Sequence, residues 1–160
     1  MIKAREDRTP WSDYFMLLAQ VTATRSPDPH TQVGACLVDK SNHVLSLGYN
    51  GLPKGMIACM EDWSREGPES KYLYIVHAEL NAVLNARLLA DATGATLYTT
   101  LYPCNECSKA IVQTGISRVV YLNFVEASYN TASRKILTLG GVVLQQHTQS
   151  ASTYVLSKPT

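Results

Sequence analysis

His77 to Leu122, HAELNAVLNARLLADATGATLYTTLYPCNECSKAIVQTGISRVVYL, is the stretch whose reading decides the fold, because its hydrophobic period switches repeatedly between helix and strand. His77 to Ala90 puts Leu80, Val83, Leu84 and Leu88 on one helical face with small alanines between them. Ala95 to Thr100 predicts a strand, Pro103 to Thr114 a helix opened by proline and closed by Gly115, and Arg118 to Leu122 another strand. Downstream, Asn130 to Leu139 predicts a helix ended by Gly140 and Gly141, before a last apolar strand, Val142 to Leu144. Upstream, Thr9 as N-cap and Pro10 as first helical residue open a helix to about Arg25, with Trp11, Phe15, Leu18 and Thr22 as its stripe. Ser26-Pro27-Asp28-Pro29 stops that helix. Gln32 to Val38 and Val44 to Tyr49 then pattern a hairpin around the polar Asp39 to His43. The order α-β-β-α-β-α-β-α-β predicts an α/β fold, a central sheet with helices on both faces. Between hairpin and second helix, Asn50 to Lys71 is too long and irregular for a simple connection, and loops of that kind are often functional.

The chain has 160 residues, 46% hydrophobic and 17% charged, with no linker or repeat, which predicts one domain over 1–160 and a core from about 11 to 145. Fourteen Lys and Arg against thirteen Asp and Glu leave a net charge of +1, unlike the basic surplus of a dedicated nucleic-acid binder. No apolar run is long enough for a membrane span, and Met1 to Pro10 lacks the apolar core of a signal peptide. A cytoplasmic, membrane-free protein is the expectation. Four cysteines are too few for a disulfide scaffold, and the Cys104/Cys107 spacing suits metal or redox chemistry in a reducing compartment.

His77, Cys104 and Cys107 are three donors of zinc-binding type, an imidazole and two thiolates, the cysteines at i and i+3 on one helical face. Helix N-termini favour the thiolate forms. His77 and Glu79 lie roughly 200° apart on a continuous helix, so they converge only if His77 sits at the helix start, partly outside helical geometry. Glu79 would then face the fourth position of an open, catalytic zinc, whose water ionises near neutral pH. A closed structural site completed by Cys36 or Cys59 is the competing reading, although neither has paired ligand spacing. A thiol redox pair is another, but it leaves His77 and Glu79 without a role.

His-x-Glu with Pro-Cys-x-x-Cys is the pattern of zinc-dependent nucleobase deaminases. Further motifs are Arg25-Ser26-x-Asp28-Pro29, Gln32 to Cys36, Gly48-Tyr49-Asn50-Gly51-x-Pro53-x-Gly55, His77 to Ala82, Pro103 to Cys107 and Gly115-Ile116. With these, from about Trp11 to Leu144, the chain resembles the deoxycytidylate deaminase branch of the cytidine deaminase family. The zinc motif is shared with nucleoside, tRNA-adenosine, guanine and DNA cytosine deaminases, so it specifies the reaction, and the Gly-Tyr-Asn-Gly and Arg-Ser-x-Asp-Pro stretches narrow it to the nucleotide branch. The resemblance implies a three-layer α-β-α sandwich on a five-stranded mixed sheet. It also implies Zn2+ on His77, Cys104 and Cys107, and hydrolysis of dCMP to dUMP and ammonia that feeds deoxythymidylate synthesis. Glu79 is then the proton shuttle for attack of activated water on C4.

By the same resemblance Asn50 meets the sugar hydroxyl and the Ala78 backbone the base carbonyl. For the 5′-phosphate the candidates are Arg25 with Ser26, an arginine fork suiting a dianion. Arg134 lies where the family has an arginine, but Phe124 to Asn130 departs from the family's more acidic pattern. A second zinc found in some members lacks its ligands here: Cys59 stands alone, and His30, His43 and His147 have no ligand spacing. Many relatives are hexamers activated by dCTP and inhibited by dTTP, so a homo-oligomer is implied. Trp63, Tyr72 and Tyr74 could cover the base, meet a neighbouring subunit or simply pack.

Overall fold

The first sheet strand, buried at every position, sets the architecture. In the computed structural model, which describes residues 2–56, 63–86 and 92–148, the elements are α1 (Trp11–Ala23), β1 (Gly34–Val38), β2 (Val44–Tyr49), α2 (Ala78–Asn85), β3 (Thr96–Leu101), α3 (Asn105–Gln113), β4 (Arg118–Asn123), α4 (Asn130–Leu139) and β5 (Val143–Gln146). A short 3-10 turn, Lys71–Leu73, precedes α2. β1 carries no polar alternation because both its faces are covered. Cys36 and Val38 pack with Phe15, Met16 and Ala19 of α1, while Ala35 and Leu37 pack with Ala82 of α2, Ile111 of α3 and Leu137 of α4. The result is the expected three-layer sandwich: α1 on one face, the other three helices opposite.

The sheet order is β2-β1-β3-β4-β5. β1 runs antiparallel to β2 and β3, whereas β3, β4 and β5 are parallel, so the sheet is mixed. Gly34 pairs with Tyr49, and Ala35 with Thr99, so the start of β1, the end of β2 and the end of β3 share one edge of the sheet. Asn50, Tyr102 to Cys104 and the loop after β4 all leave from that edge. Crevices outside the carboxyl ends of parallel strands are where such sheets bind ligands.

Two glycines let the layers close. A Cβ on Gly34 would lie 2.0 Å from Ala19 O of α1, and one on Gly48 would lie 2.3 Å from Ala78 O of α2. That second approach explains a difference from the periodicity reading. α2 packs through Ala78, Glu79, Ala82 and Val83, while Leu84 is 66% exposed. Small residues face the sheet because only they fit a helix this close to β2. Likewise α1 buries Phe15, Met16, Ala19, Thr22 and Ala23, and Trp11 stacks on Phe15 from outside at 5.4 Å.

Helix starts also shift. Pro10 is the N-cap of α1, with extended ψ of 145°, so the helix begins at Trp11 and Thr9 lies before the cap. Pro103 does not open α3: Cys104 caps it with ψ of 172°, and helical geometry starts at Asn105. α2 ends at Asn85 because Ala86 is extended, and the expected continuation over 87–90, with Leu88, lies outside the described residues, as does Cys59. The last strand is Val143–Gln146, starting one residue later than expected. Among the described residues no helix is long and apolar enough to cross a membrane.

Candidate active site

Two helix starts meet at the sheet edge. His77 caps α2 with extended backbone (φ −71°, ψ 157°), and Cys104 caps α3 in the same way. Extended geometry at His77 frees its imidazole from the helical face, which is what lets it share a point with a residue two positions on. His77 Nδ1 lies 3.3 Å from Cys104 Sγ and 3.5 Å from Cys107 Sγ. Glu79, in the first turn of α2 and buried, has Oε2 at 3.5 Å from Cys107 Sγ. Its Oε1 accepts a hydrogen bond from Thr99 Oγ1 at 3.2 Å.

Burial and proximity set the charges. The Cys104 thiol is drawn down to about 4, chiefly by its hydrogen bond with Cys107 and then by His77, against the opposing pull of burial. Cys107 is pushed upward by the hydrogen bond with Cys104 and by burial, so the thiolate form is favoured at Cys104 and disfavoured at Cys107. The His77 imidazole is raised by its hydrogen bond to Cys104, over the opposing effect of burial. Burial raises the Glu79 carboxyl, with the His77 charge opposing it. A carboxyl moved upward is suited to passing protons near neutral pH.

The three ligand atoms of His77, Cys104 and Cys107 lie within 4.8 Å of one another, and among the described residues they are the group that could hold a metal ion. One nitrogen and two sulfurs, a thiolate among them, form a borderline-soft set suited to zinc with a position left over. Cys36 cannot complete it. That cysteine faces α1 on the other side of the sheet, with its thiol pushed up to about 12 by burial.

His77, Glu79 and Cys104 line a cavity of about 270 Å³ together with Asn50, Ala78, Asp28, Arg65, Lys71, Tyr72, Tyr102, Val125 and Tyr129. Asn50 is held on every side but one. Its Oδ1 accepts from Val33 N, and its Nδ2 donates to Thr31 O and Asp28 Oδ2. Asp28 is paired with Lys71, and both side chains are buried. Burial would raise the Asp28 carboxyl, but the Lys71 ammonium and the amides of His30 and Thr31 outweigh it and leave it below its ordinary value. Arg25, exposed beyond the end of α1, is not among the lining residues, and the Ser26 hydroxyl donates to Asn50 O. Arg134 is exposed on α4, also outside this cavity.

The family model of the cytidine and deoxycytidylate deaminase zinc-binding region matches residues 9–123. The chain belongs to this deaminase family. It is 40% identical to the deoxycytidylate deaminase of Mus musculus over 159 residues, covering 96% of this chain and 89% of that protein. The human deoxycytidylate deaminase is 38% identical with the same coverage, 96% and 89%. Among solved structures, the dCMP deaminase of cyanophage S-TIM5 in complex with dCMP and dUMP superposes with a TM-score of 0.70 at 28% identity, covering 88% of this chain and 99% of that one. The chain is accordingly an enzyme, a hydrolytic deaminase with the mixed sheet of its family.

Membership in the deaminase family does not explain how several cavity residues come to be there. Lys71, Arg65, Tyr102, Val125 and Tyr129 drew no site reading from the sequence. Lys71 looks like a loop lysine until the fold buries it against Asp28, which lies 43 positions away. Val125 and Tyr129 sit in the stretch that departs from the family's acidic pattern, and that departure was the available signal. Tyr72 does line the cavity, whereas Trp63 is half-buried and not among the lining residues, and Tyr74 bonds Glu69. His43 pairs with Asp39 and His147 with Asp13, while His30 is exposed.

Proposed function

We propose that this deaminase hydrolyses dCMP to dUMP and ammonia, supplying deoxythymidylate synthesis in the cytoplasm. The observation that carries the reading is one cavity lined by His77, Cys104 and Glu79 together with an exposed side-chain cation, Arg65. Apolar and aromatic walls from Val33, Leu101, Tyr102 and Tyr129 suit a flat base between them.

His77 Nδ1 and the sulfurs of Cys104 and Cys107 would hold Zn2+. When bound, zinc supplies the Lewis acidity that lets water ionise near pH 7. Glu79 takes a proton from the attacking water and delivers it to N3 as the C4–O bond forms. It passes the second water proton to the departing amine as the C4–N bond breaks, so one water is consumed and one ammonia leaves. Thr99 Oγ1 lies 3.2 Å from Glu79 Oε1 and 3.1 Å from Leu101 O, so its single proton is divided between the carboxylate and that carbonyl. The Ala78 backbone meets the base carbonyl. Since Asn50 spends both Nδ2 donors on Thr31 and Asp28, its spare Oδ1 lone pair accepts the sugar hydroxyl. The 5′-phosphate goes to Arg65, which lines the cavity, in place of Arg25 and Ser26; Lys71 is committed to Asp28.

Family resemblance extends the reading to a homo-oligomer, a hexamer answering to dCTP and dTTP, and exposed Leu73 and Leu84 support contact with other copies. The deciding measurement is the absorbance change on deamination of dCMP and of deoxycytidine. A higher kcat/KM for dCMP is expected. Faster turnover of the nucleoside would assign the enzyme to free nucleosides and overturn the phosphate reading.

A further inference from the structure

Cys104 is carried on a turn whose carbonyls are held from outside that turn. Ser133, on α4 and fully buried, donates its hydroxyl to Pro103 O at 2.8 Å. Ser108, on α3 and equally buried, lies 2.8 Å from Cys104 O and 2.8 Å from Ser133 Oγ. Two hydroxyls bring two protons to these three contacts. Cys104 O already receives Ser108 N at 2.9 Å, within the helix ladder, and so has a donor without the Ser108 hydroxyl. The Ser108 hydroxyl is therefore free to donate to Ser133, and Ser133 to Pro103 O. Pro103 precedes the cap, so no helical amide serves its carbonyl. A buried carbonyl left without a donor is unfavourable, and the peptide it belongs to leads directly into Cys104.

We propose that Ser133 is a positioning residue for the metal ligand Cys104, acting through Pro103 O, with Ser108 as the group that orients the Ser133 hydroxyl. Ligand-orienting partners of this kind fix the direction of a donor that the ligand's own backbone would leave loose. Here the device links α4 to the turn that aims the sulfur. It rests on the reading of Cys104 as a zinc ligand.

Zinc competition against a chromophoric chelator tests this on the full chain, together with Co2+ substitution read from its visible absorption bands. Ser133→Ala is expected to hold zinc about tenfold more weakly and to shift the Co2+ bands, the low end of the usual effect of removing an outer partner. Ser108→Ala is expected to weaken zinc less than Ser133→Ala does, since Ser133 keeps its own proton for Pro103 O and loses only the group that orients it. Ser133→Thr restores the hydroxyl and is expected to restore both readouts. Melting of the metal-free proteins separates folding from ligand aim, and alanine favours the helix at both positions. Equal affinity and unchanged bands in the parent and Ser133→Ala would overturn the proposal, as would equal losses in Ser133→Ala and Ser108→Ala. A parent protein that takes up no zinc would instead remove the metal reading beneath it.

Discussion

Two polar clusters line the same cavity, and they satisfy their charges in opposite ways. Asp28 accepts from Lys71 Nζ, from the amides of His30 and Thr31 and from Asn50 Nδ2, so its negative charge is answered within the protein. His77, Cys104 and Cys107 face one another with their lone pairs, a set of bases that a cation would answer. One cluster is a closed frame that fixes Asn50; the other is a receptor. The most severe test of that contrast lies at the receptor. Cys104→Ala is expected to abolish both bound zinc and turnover. Glu79→Gln is expected to keep zinc while kcat falls by about 10²–10⁴-fold, the usual weight of general acid–base catalysis. Metal analysis beside single-substrate kinetics reads both, and a Glu79→Gln enzyme as fast as the parent would end the proton-shuttle role.

The closed frame predicts a loss of stability in place of a loss of chemistry. Lys71→Met leaves Asp28 buried without its cation, which typically costs about 3–5 kcal/mol. Asp28→Asn with Lys71→Met removes both charges and is expected to recover part of that loss. The pH dependence follows from the depressed carboxyl. A group with a lowered native pKa contributes stability above its unfolded value, near 3.9 for Asp, and loses it as the pH falls through the native value. The gap between parent and Lys71→Met is therefore widest at neutral pH and narrows in acid, where a protonated Asp28 no longer needs the ammonium. Urea unfolding at neutral pH and below pH 4 measures it, and a gap that widens in acid would contradict the frame.

The receptor was legible in the sequence and the frame largely was not, for a physical reason. Metal donors come as rare residue types at short spacings fixed by helix geometry, so His77, Glu79, Cys104 and Cys107 announce themselves. The order of nine elements was legible too, because each carries its own period and its own punctuation, as with Gly115 after α3. Lys71 and Asp28 are common residues joined only by tertiary folding. The α1 stripe holds at Phe15, Leu18 and Thr22 and fails at exposed Trp11, whereas on α2 periodicity ranks residues by hydrophobicity and the packing ranks them by size. Leu84 is exposed and Ala82 buried because Gly48 brings the sheet too close for leucine. The helices start one or two residues beyond the proline that the sequence pattern makes the first helical residue: both Pro10 and Pro103 stand before the first helical residue.

The smallest expected effect distinguishes cations that share the cavity from cations that merely lie near it in sequence. Arg65 donates to Thr31 Oγ1 at 2.7 Å and is exposed, so its pull on a phosphate is screened by water. Exposed ion pairs are worth about 0.2–1 kcal/mol, which sets the rise in KM for dCMP on Arg65→Ala at about threefold. Turnover of deoxycytidine, which carries no phosphate, should not change. Arg25→Ala should leave both substrates alone, because Arg25 stands outside the cavity lining. Ionic strength sharpens the comparison, since screening at about 8 Å in physiological salt weakens exposed charges first. Added salt should therefore raise KM for dCMP in the parent more than in Arg65→Ala. If Arg25→Ala instead produced the larger change, the phosphate would lie on the side of the cavity that the sequence reading chose.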